Sequence, residues 1–252
     1  KTTSVNILSG EIPLAEGQAT FHFLDGTAEL ANPEDVDRIR SKIGVCPQHN
    51  SALLGDLTCR ENLRLFAHLK GRVTMEHASQ SVDDAVEAEV ERRLDDIKFT
   101  SSEDADKEVG TYSGGMKRKV SIALALLGDP EIVYLDEPTA GMDPYNRRQI
   151  WDMIIAAKAG RSIILTTHFL DEADVLSDRV GVIKDGRLVT CGTTLFLKHH
   201  FGVGYSLRFN ADEPIAVDEM IEKAIEVPLD KEGSYEWTLS HGTEGSFPTV
   251  LG

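Results

Sequence analysis

Apolar positions along the 252-residue chain recur with two periods. The opening Lys1-Thr2-Thr3-Ser4-Val5-Asn6-Ile7-Leu8-Ser9 has helical spacing and stops at Gly10, a residue that closes helices readily. Thr20 to Leu24 alternates and runs into Asp25-Gly26, which predicts an antiparallel strand and a turn. Asp35 to Ser41 reads as a helix, and Ile43-Gly44-Val45 as a short strand leading to Pro47-Gln48. A helical pattern then extends from Thr58 to about Ile97, with Val86, Val90 and Leu94 on one face of its acidic part.

A further helix is predicted from Gly115 to Leu127. Glu131 to Leu135 is an almost unbroken apolar run ending in two acids, as a buried parallel strand would. Asn146 to Ala159 is helical, Ser162 to Thr167 is a second buried strand, and Val180 to Ile183 with Lys184-Asp185-Gly186-Arg187 is a strand and hairpin. Past Phe201 the pattern becomes strand (Tyr205–Phe209), helix (Val217–Glu226) and strand (Ser234–Leu239). Strands alternating with helices indicate an α/β fold around a parallel sheet, with a small separate unit at the end.

Composition narrows the functions open to this fold. With 26 Lys+Arg against 42 Asp+Glu, the formal charge of −16 repels nucleic acid and anionic lipid, which disfavours a free-standing DNA-binding role. An anionic ligand must be held by a few placed donors instead. Cys46, Cys59 and Cys191 show no metal-binding or disulfide spacing, so a reducing compartment fits best. No run approaches the roughly 18 apolar residues that span a bilayer.

Two adjacent carboxylates, Asp136 and Glu137, close the predicted buried strand, where open α/β sheets bind ligands. Asp136 is placed to hold Mg²⁺, and Glu137 to act as general base on a water attacking a γ-phosphate; alternatively Asp-Glu-Pro merely ends a strand. Tyr112-Ser113-Gly114-Gly115-Met116-Lys117-Arg118-Lys119 opens a long helix with a hydroxyl and bare backbone N–H groups, an arrangement suited to phosphate oxygens. A plain serine cap is the alternative.

Ser113-Gly114-Gly115 before a basic helix resembles the signature motif of ABC-type ATPases. Ile132 to Leu135 with Asp136-Glu137-Pro138 is similar to their Walker B segment, Gly141-Met142-Asp143-Pro144 to the D-loop, His168 after Thr166-Thr167 to the switch histidine, and Cys46-Pro47-Gln48 to the Q-loop. Lys1-Thr2-Thr3 then reads as the end of a P-loop, G-x-x-x-x-G-K-[ST], so the chain is expected to lack the first strands and phosphate-binding glycines and to stop short at its C-terminus as well. The wording Tyr-Ser-Gly-Gly-Met-Lys-Arg-Lys, with Thr167 to Asp174 and Cys191 to Tyr205, resembles eukaryotic subfamily A cassettes.

The resemblance implies a P-loop NTPase (RecA-like) core with an antiparallel β part and a helical subdomain. The ATPase domain would run over residues 1–200, with the helical subdomain at about 50–128, and a partial regulatory-type α/β unit would fill 201–252. It implies ATP and Mg²⁺ as ligands. Lys1 would reach the β- and γ-phosphates, Thr2, Gln48 and Asp136 would serve the metal, Thr3 would lie near the α-phosphate, and Glu137, His168 and Gln48 would serve catalysis. Ser113, Gly114, Gly115 and Met116 would contact nucleotide, as would Asp143 at the contact between two cassettes. Gln48 read alone is a loop glutamine, Asp143 a helix cap, and the tail a β-rich cap.

The implied assembly is a head-to-tail pair in which one cassette supplies Lys1, Thr2, Gln48, Asp136, Glu137 and His168 and the other Ser113, Gly114 and Gly115. The pair would drive transmembrane domains outside this chain, at the cytoplasmic face of a membrane, for lipid or sterol cargo that this domain does not touch. A soluble ABC ATPase of DNA repair or translation, and a catalytically degenerate regulatory cassette, are the alternatives. Since the expected phosphate loop precedes Lys1, the isolated 252-residue chain should bind ATP weakly, and calorimetry finding micromolar affinity would contradict this.

Overall fold

The computed structural model describes residues 1–70, 81–99 and 103–202, together with the backbone of three strands at Tyr205–Asn210, Ala224–Val227 and Ser234–Leu239. The chain divides into two compact units, Lys1–Leu176 and Ser177–Gly252. In the first, helix α1 (Thr2–Leu8) precedes the hairpin β1 (Thr20–Phe23) and β2 (Gly26–Glu29), then α2 (Pro33–Lys42) and β3 (Ile43–Cys46). Helices α3 (Cys59–Lys70), α4 (Val82–Asp96) and α5 (Gly114–Leu126) follow, and β4 (Ile132–Asp136), α6 (Pro144–Ala157), β5 (Ser162–Thr166) and α7 (Leu170–Leu176) complete the unit.

Strands β3, β4 and β5 form a parallel sheet in that order, with Leu135 opposite Cys46 and Asp136 opposite Thr166. Burial of both faces explains the near-continuous apolar run of β4. Val133 and Leu135 pack on one face with Cys46, Ile122, Ile150 and Ile154; Tyr134, on the other, meets Val5, Ile39 and the hairpin residues Phe21 and Phe23. Helices therefore cover β4 on both sides, as the alternation of strands and helices predicts, whereas β5, read from sequence as a second buried strand, leaves Ile164 42% exposed.

A separate core holds α3, α4 and α5 together. Val86, Val90 and Leu94 are at most 1% exposed and meet Cys59, Leu63 and Ala67 of α3 and Val120, Ala123 and Leu124 of α5. At roughly 1.5–3 kcal/mol for each large apolar side chain withdrawn from water, this face suffices to order helices that carry many charges elsewhere. The helical pattern from Thr58 to Ile97 is thus two helices; residues 71–80 lie outside the described residues. α4 begins at a capping box in which the Ser81 hydroxyl accepts from the Asp84 N–H and the Asp84 carboxylate accepts from the Ser81 N–H.

In the second unit, β6 (Val180–Lys184) and β7 (Arg187–Gly192) pair antiparallel as a sheet of two strands, and α8 (Thr194–Phe201) follows under a Thr193 cap. Strands β8 (Tyr205–Asn210), β9 (Ala224–Val227) and β10 (Ser234–Leu239) form a sheet in the order β8-β10-β9. The division into compact units follows Leu176, and β6 and β7 form a two-stranded sheet of their own. Of the predicted helix Val217–Glu226, residues 217–223 lie outside the described residues. Ala224–Glu226 is strand, its backbone engaged by antiparallel pairing with β10 that local helical periodicity does not reveal.

The contact that fixes α5 on the sheet is a backbone one. A Cβ added at Gly44 in β3 would lie 1.9 Å from the Ala125 carbonyl oxygen of α5, so only glycine lets the helix lie directly on the strand. We expect Gly44→Ala to lower the thermal midpoint by roughly 5–10 °C through overpacking. A melting curve that coincides with wild type would refute this account of the packing.

Candidate functional site

The end of β4 carries the chemistry. Asp136 is 2% exposed, and one carboxylate oxygen accepts a hydrogen bond from the Thr166 hydroxyl at the end of β5. Glu137 leaves the strand in the left-handed region, at a φ of 46°, a conformation that costs a non-glycine residue of order 1 kcal/mol and turns the chain sharply. Its N–H donates to the Thr166 carbonyl at 3.1 Å and lies 3.2 Å from the Thr166 hydroxyl oxygen. The half-exposed His168 brings Nδ1 to 3.1 Å from Glu137 Oε2. Lys1 Nζ donates to the neighbouring Thr167 carbonyl at 2.5 Å, so α1 starts beside the same strand ends.

A cavity of ≈ 340 Å³ adjoins Glu137, with Gln48, Ser113, Gly114, Gly115 and Asp143 also in its wall. Six sequence-predicted residues therefore border one space. Ser113 caps α5, its Oγ accepting from the Met116 N–H at 3.3 Å. The serine-cap alternative is realised, and it leaves the amides of Gly114 and Gly115 as unpartnered first-turn donors among the described hydrogen bonds. Gly115 has little room for a side chain: a Cβ there would lie 3.2 Å from Asn146 Cγ on α6. Met116 packs instead against the helical core, and Thr2 and Thr3 are exposed in the first turn of α1. Lys1 and Asp136 are not in the cavity wall.

Asp143 caps α6, accepting from the N–H groups of Tyr145 (3.0 Å) and Asn146 (3.1 Å). The Asn146 side-chain amide, donating at 2.6 Å, and these backbone groups hold its carboxyl below the usual carboxylate range. The loop from Glu137 to Asp143 is tied from beneath. Thr139 Oγ1 donates to the fully buried Glu172 at 2.7 Å, and Trp151 Nε1 donates to the same oxygen at 3.1 Å.

Sequence reasoning missed Thr166, Glu172, Asn146 and above all Arg118, which also lines the cavity. Thr166 and Glu172 stand inside stretches singled out for other residues; Arg118 reads in sequence as one charge of a basic helix face. Among the described residues no three His, Cys, Asp or Glu side chains cluster as a metal site, and no helix is long and apolar enough to cross a membrane. What the strand ends offer is hard oxygen: one buried carboxylate with a hydroxyl beside it. Such a set fits a cation that takes most of its ligands from phosphate and water.

The family model described as ABC transporter matches residues 1–140. The chain is 44% identical over 205 residues to "ABC transporter A family member 9" of Arabidopsis thaliana, covering 81% of this chain and 20% of that protein. It is 41% identical over 207 residues to "Retinal-specific phospholipid-transporting ATPase ABCA4" of Bos taurus, covering 82% of this chain and 8% of that protein. The chain thus spans a fifth or less of the length of these relatives. Among solved structures, the ATP-binding cassette MJ0796, described as dimeric, post-hydrolysis and bound to ADP and Pi, superposes with a TM-score of 0.61 at 21% identity, over 76% of this chain and 79% of that one. At that identity the likeness shows the fold: that of an ABC cassette.

Thr166 links the two carboxylate-bearing residues, through the Asp136 side chain and the Glu137 N–H. Thr166→Val keeps the shape and removes both bonds, leaving the Asp136 carboxylate short of a donor. The expected cost is about 1–3 kcal/mol, measured as a lower urea midpoint at constant m. An unchanged midpoint would mean that the hydroxyl does not buttress the site.

Proposed function

The chain belongs to the ABC transporter family, in its A subfamily, and from that premise we propose that it is the ATP-binding and ATP-hydrolysing cassette of a membrane transporter. The observation that carries the proposal is the strand-end arrangement: buried Asp136, left-handed Glu137 and His168 at 3.1 Å from the Glu137 carboxylate. Glu137 accepts a proton from the attacking water, and His168 orients that carboxylate and meets the γ-phosphate. Gln48, in the cavity wall, positions the water. Lys1 would turn its ammonium from the Thr167 carbonyl to phosphate oxygens. Asp136, Thr2 and Gln48 would hold Mg²⁺, which when bound supplies charge neutralisation at the β- and γ-phosphates.

The working unit in this reading is a head-to-tail pair. Lys1 lies at the β5 end, whereas Ser113, Gly114 and Gly115 face the cavity beyond Glu137, so one chain does not gather both sets of phosphate donors on one wall. A second cassette presenting its α5 N-terminus would complete the set, with Asp143 at the contact. The dimeric state of the MJ0796 cassette with ADP and Pi supports this arrangement. Closure on ATP and opening after hydrolysis would reach transmembrane domains through the Gln48 segment. The cassette would then sit at the cytoplasmic face of a membrane, without nucleic acid as a partner. The phospholipid-transporting relative supports a lipid or sterol cargo that this domain does not contact.

Single-turnover hydrolysis by the intact polypeptide carrying Glu137→Gln tests the assignment. The rate should fall by about 10²–10⁴-fold, the usual contribution of a general base, while ATP still binds. An unchanged rate would remove Glu137 from this role.

A further inference from the structure

Arg118 is 3% exposed and lies on α5 one turn beyond Gly114. Among the described residues no carboxylate forms an ion pair with it; its guanidinium is spent on backbone carbonyls. Nε donates to Pro138 O at 2.8 Å, Nη2 to Asp136 O at 2.7 Å, and Nη1 to Pro47 O at 2.5 Å and Gln48 O at 3.2 Å. A buried cation is tolerated only when its donors are satisfied, and here four acceptors from two separate segments perform that task.

The identity of those acceptors is informative. Asp136 and Pro138 flank Glu137, so the guanidinium grips the carbonyl before and the carbonyl after the residue held at a φ of 46°. A left-handed glutamate persists only where its surroundings over-determine it, and Arg118 supplies two of the constraints. The other two acceptors bound the Gln48 peptide. One planar fork thus fixes the backbone on both sides of the carboxylate that would take the proton and of the glutamine that would place the water. It rides on the helix whose first amides face the same cavity.

We propose that Arg118 is a positioning residue for hydrolysis: it sets Glu137 and Gln48 in register with the α5 N-terminus and acts through them, without touching nucleotide. This rests on the ATPase reading given above. Lysine retains the charge, but its three donors radiate from one point and cannot span carbonyls that a planar fork reaches together.

The test compares kcat and KM for ATP in the intact polypeptide and in its Arg118→Lys, Arg118→Gln, Glu137→Gln and Arg118→Lys/Glu137→Gln variants, with thermal midpoints alongside. Arg118→Lys should lower kcat about 10- to 100-fold, the scale expected when a catalytic group is displaced by about an ångström, and leave KM within about twofold. Arg118→Gln, with fewer donors and no charge, should fall further. In the Glu137→Gln background Arg118→Lys should change the residual rate by less than about twofold, since groups acting as one unit do not add. A kcat for Arg118→Lys within about twofold of wild type overturns the proposal. So does an effect confined to KM, or an equal fractional loss in both backgrounds, which would mark Arg118 as purely structural. Should Arg118→Gln fail to fold, Arg118→Lys decides alone. Absence of turnover in the unsubstituted protein is a different result: it removes the ATPase reading itself, and this inference with it.

Discussion

Burying a carboxylate at the tip of a strand is the constraint around which this structure is built. Asp136 is almost fully withdrawn from water, and an ionised group so placed requires donors within reach. The parallel register of β4 and β5 sets Asp136 opposite Thr166, whose hydroxyl supplies one donor. A one-residue slip of β4 would put Leu165 or Thr167 opposite Asp136 in place of Thr166 and would turn Val133 and Leu135 toward the face now occupied by Tyr134. Apolar packing and electrostatics therefore select the same register. The sharp exit at Glu137 follows from it, because Thr166 engages the Glu137 N–H as well as the Asp136 side chain.

What could be read from the chain alone is what depends on local periodicity. β4 and β5 are visible as apolar runs, the Val86, Val90 and Leu94 face of α4 as helical spacing, and the opening of α5 as a serine with two glycines. The hairpin at Val180–Gly192 is legible as well, because its turn is the local Asp185-Gly186 step. The tract that misleads is Ala224–Glu226, which pairs with β10 although its neighbours spell a helix, and that pairing leaves no trace in a short window of sequence.

The same distinction runs through the site. Gln48, Ser113, Gly114, Gly115, Glu137 and Asp143 are recognisable because each stands in a short motif, and all six meet at one cavity. Met116 belongs to such a motif too, yet its unbranched, partly buried side chain packs against the helical core, where a flexible apolar group adapts well. Arg118 is hidden for the opposite reason. Its partners are carbonyl oxygens, which every residue possesses, lying 18 to 71 positions away in the chain. No residue-type pattern encodes such a contact, and a lysine-arginine-lysine run reads as a solvated face until the fold withdraws its middle member from water.

Helix α5 explains why these pieces keep their mutual distances. Val120, Ala123, Leu124 and Leu127 at its C-terminal boundary belong to the helical core, whereas Ile122, Ala125 and Leu126 belong to the core beneath the sheet. A helix buried on two faces cannot shift with one core without disturbing the other, since close-packed interiors deform little. Its C-terminal part is further fixed by backbone proximity, Gly44 of β3 against the Ala125 carbonyl, and at its start Gly115 lies close to the Asn146 side chain. Any change in the distance between the α5 amides and Glu137 within one chain must therefore carry the helical core along as a body. Because the Pro47 and Gln48 carbonyls hang from Arg118 of that helix, the segment leaving β3 is bound to register the displacement.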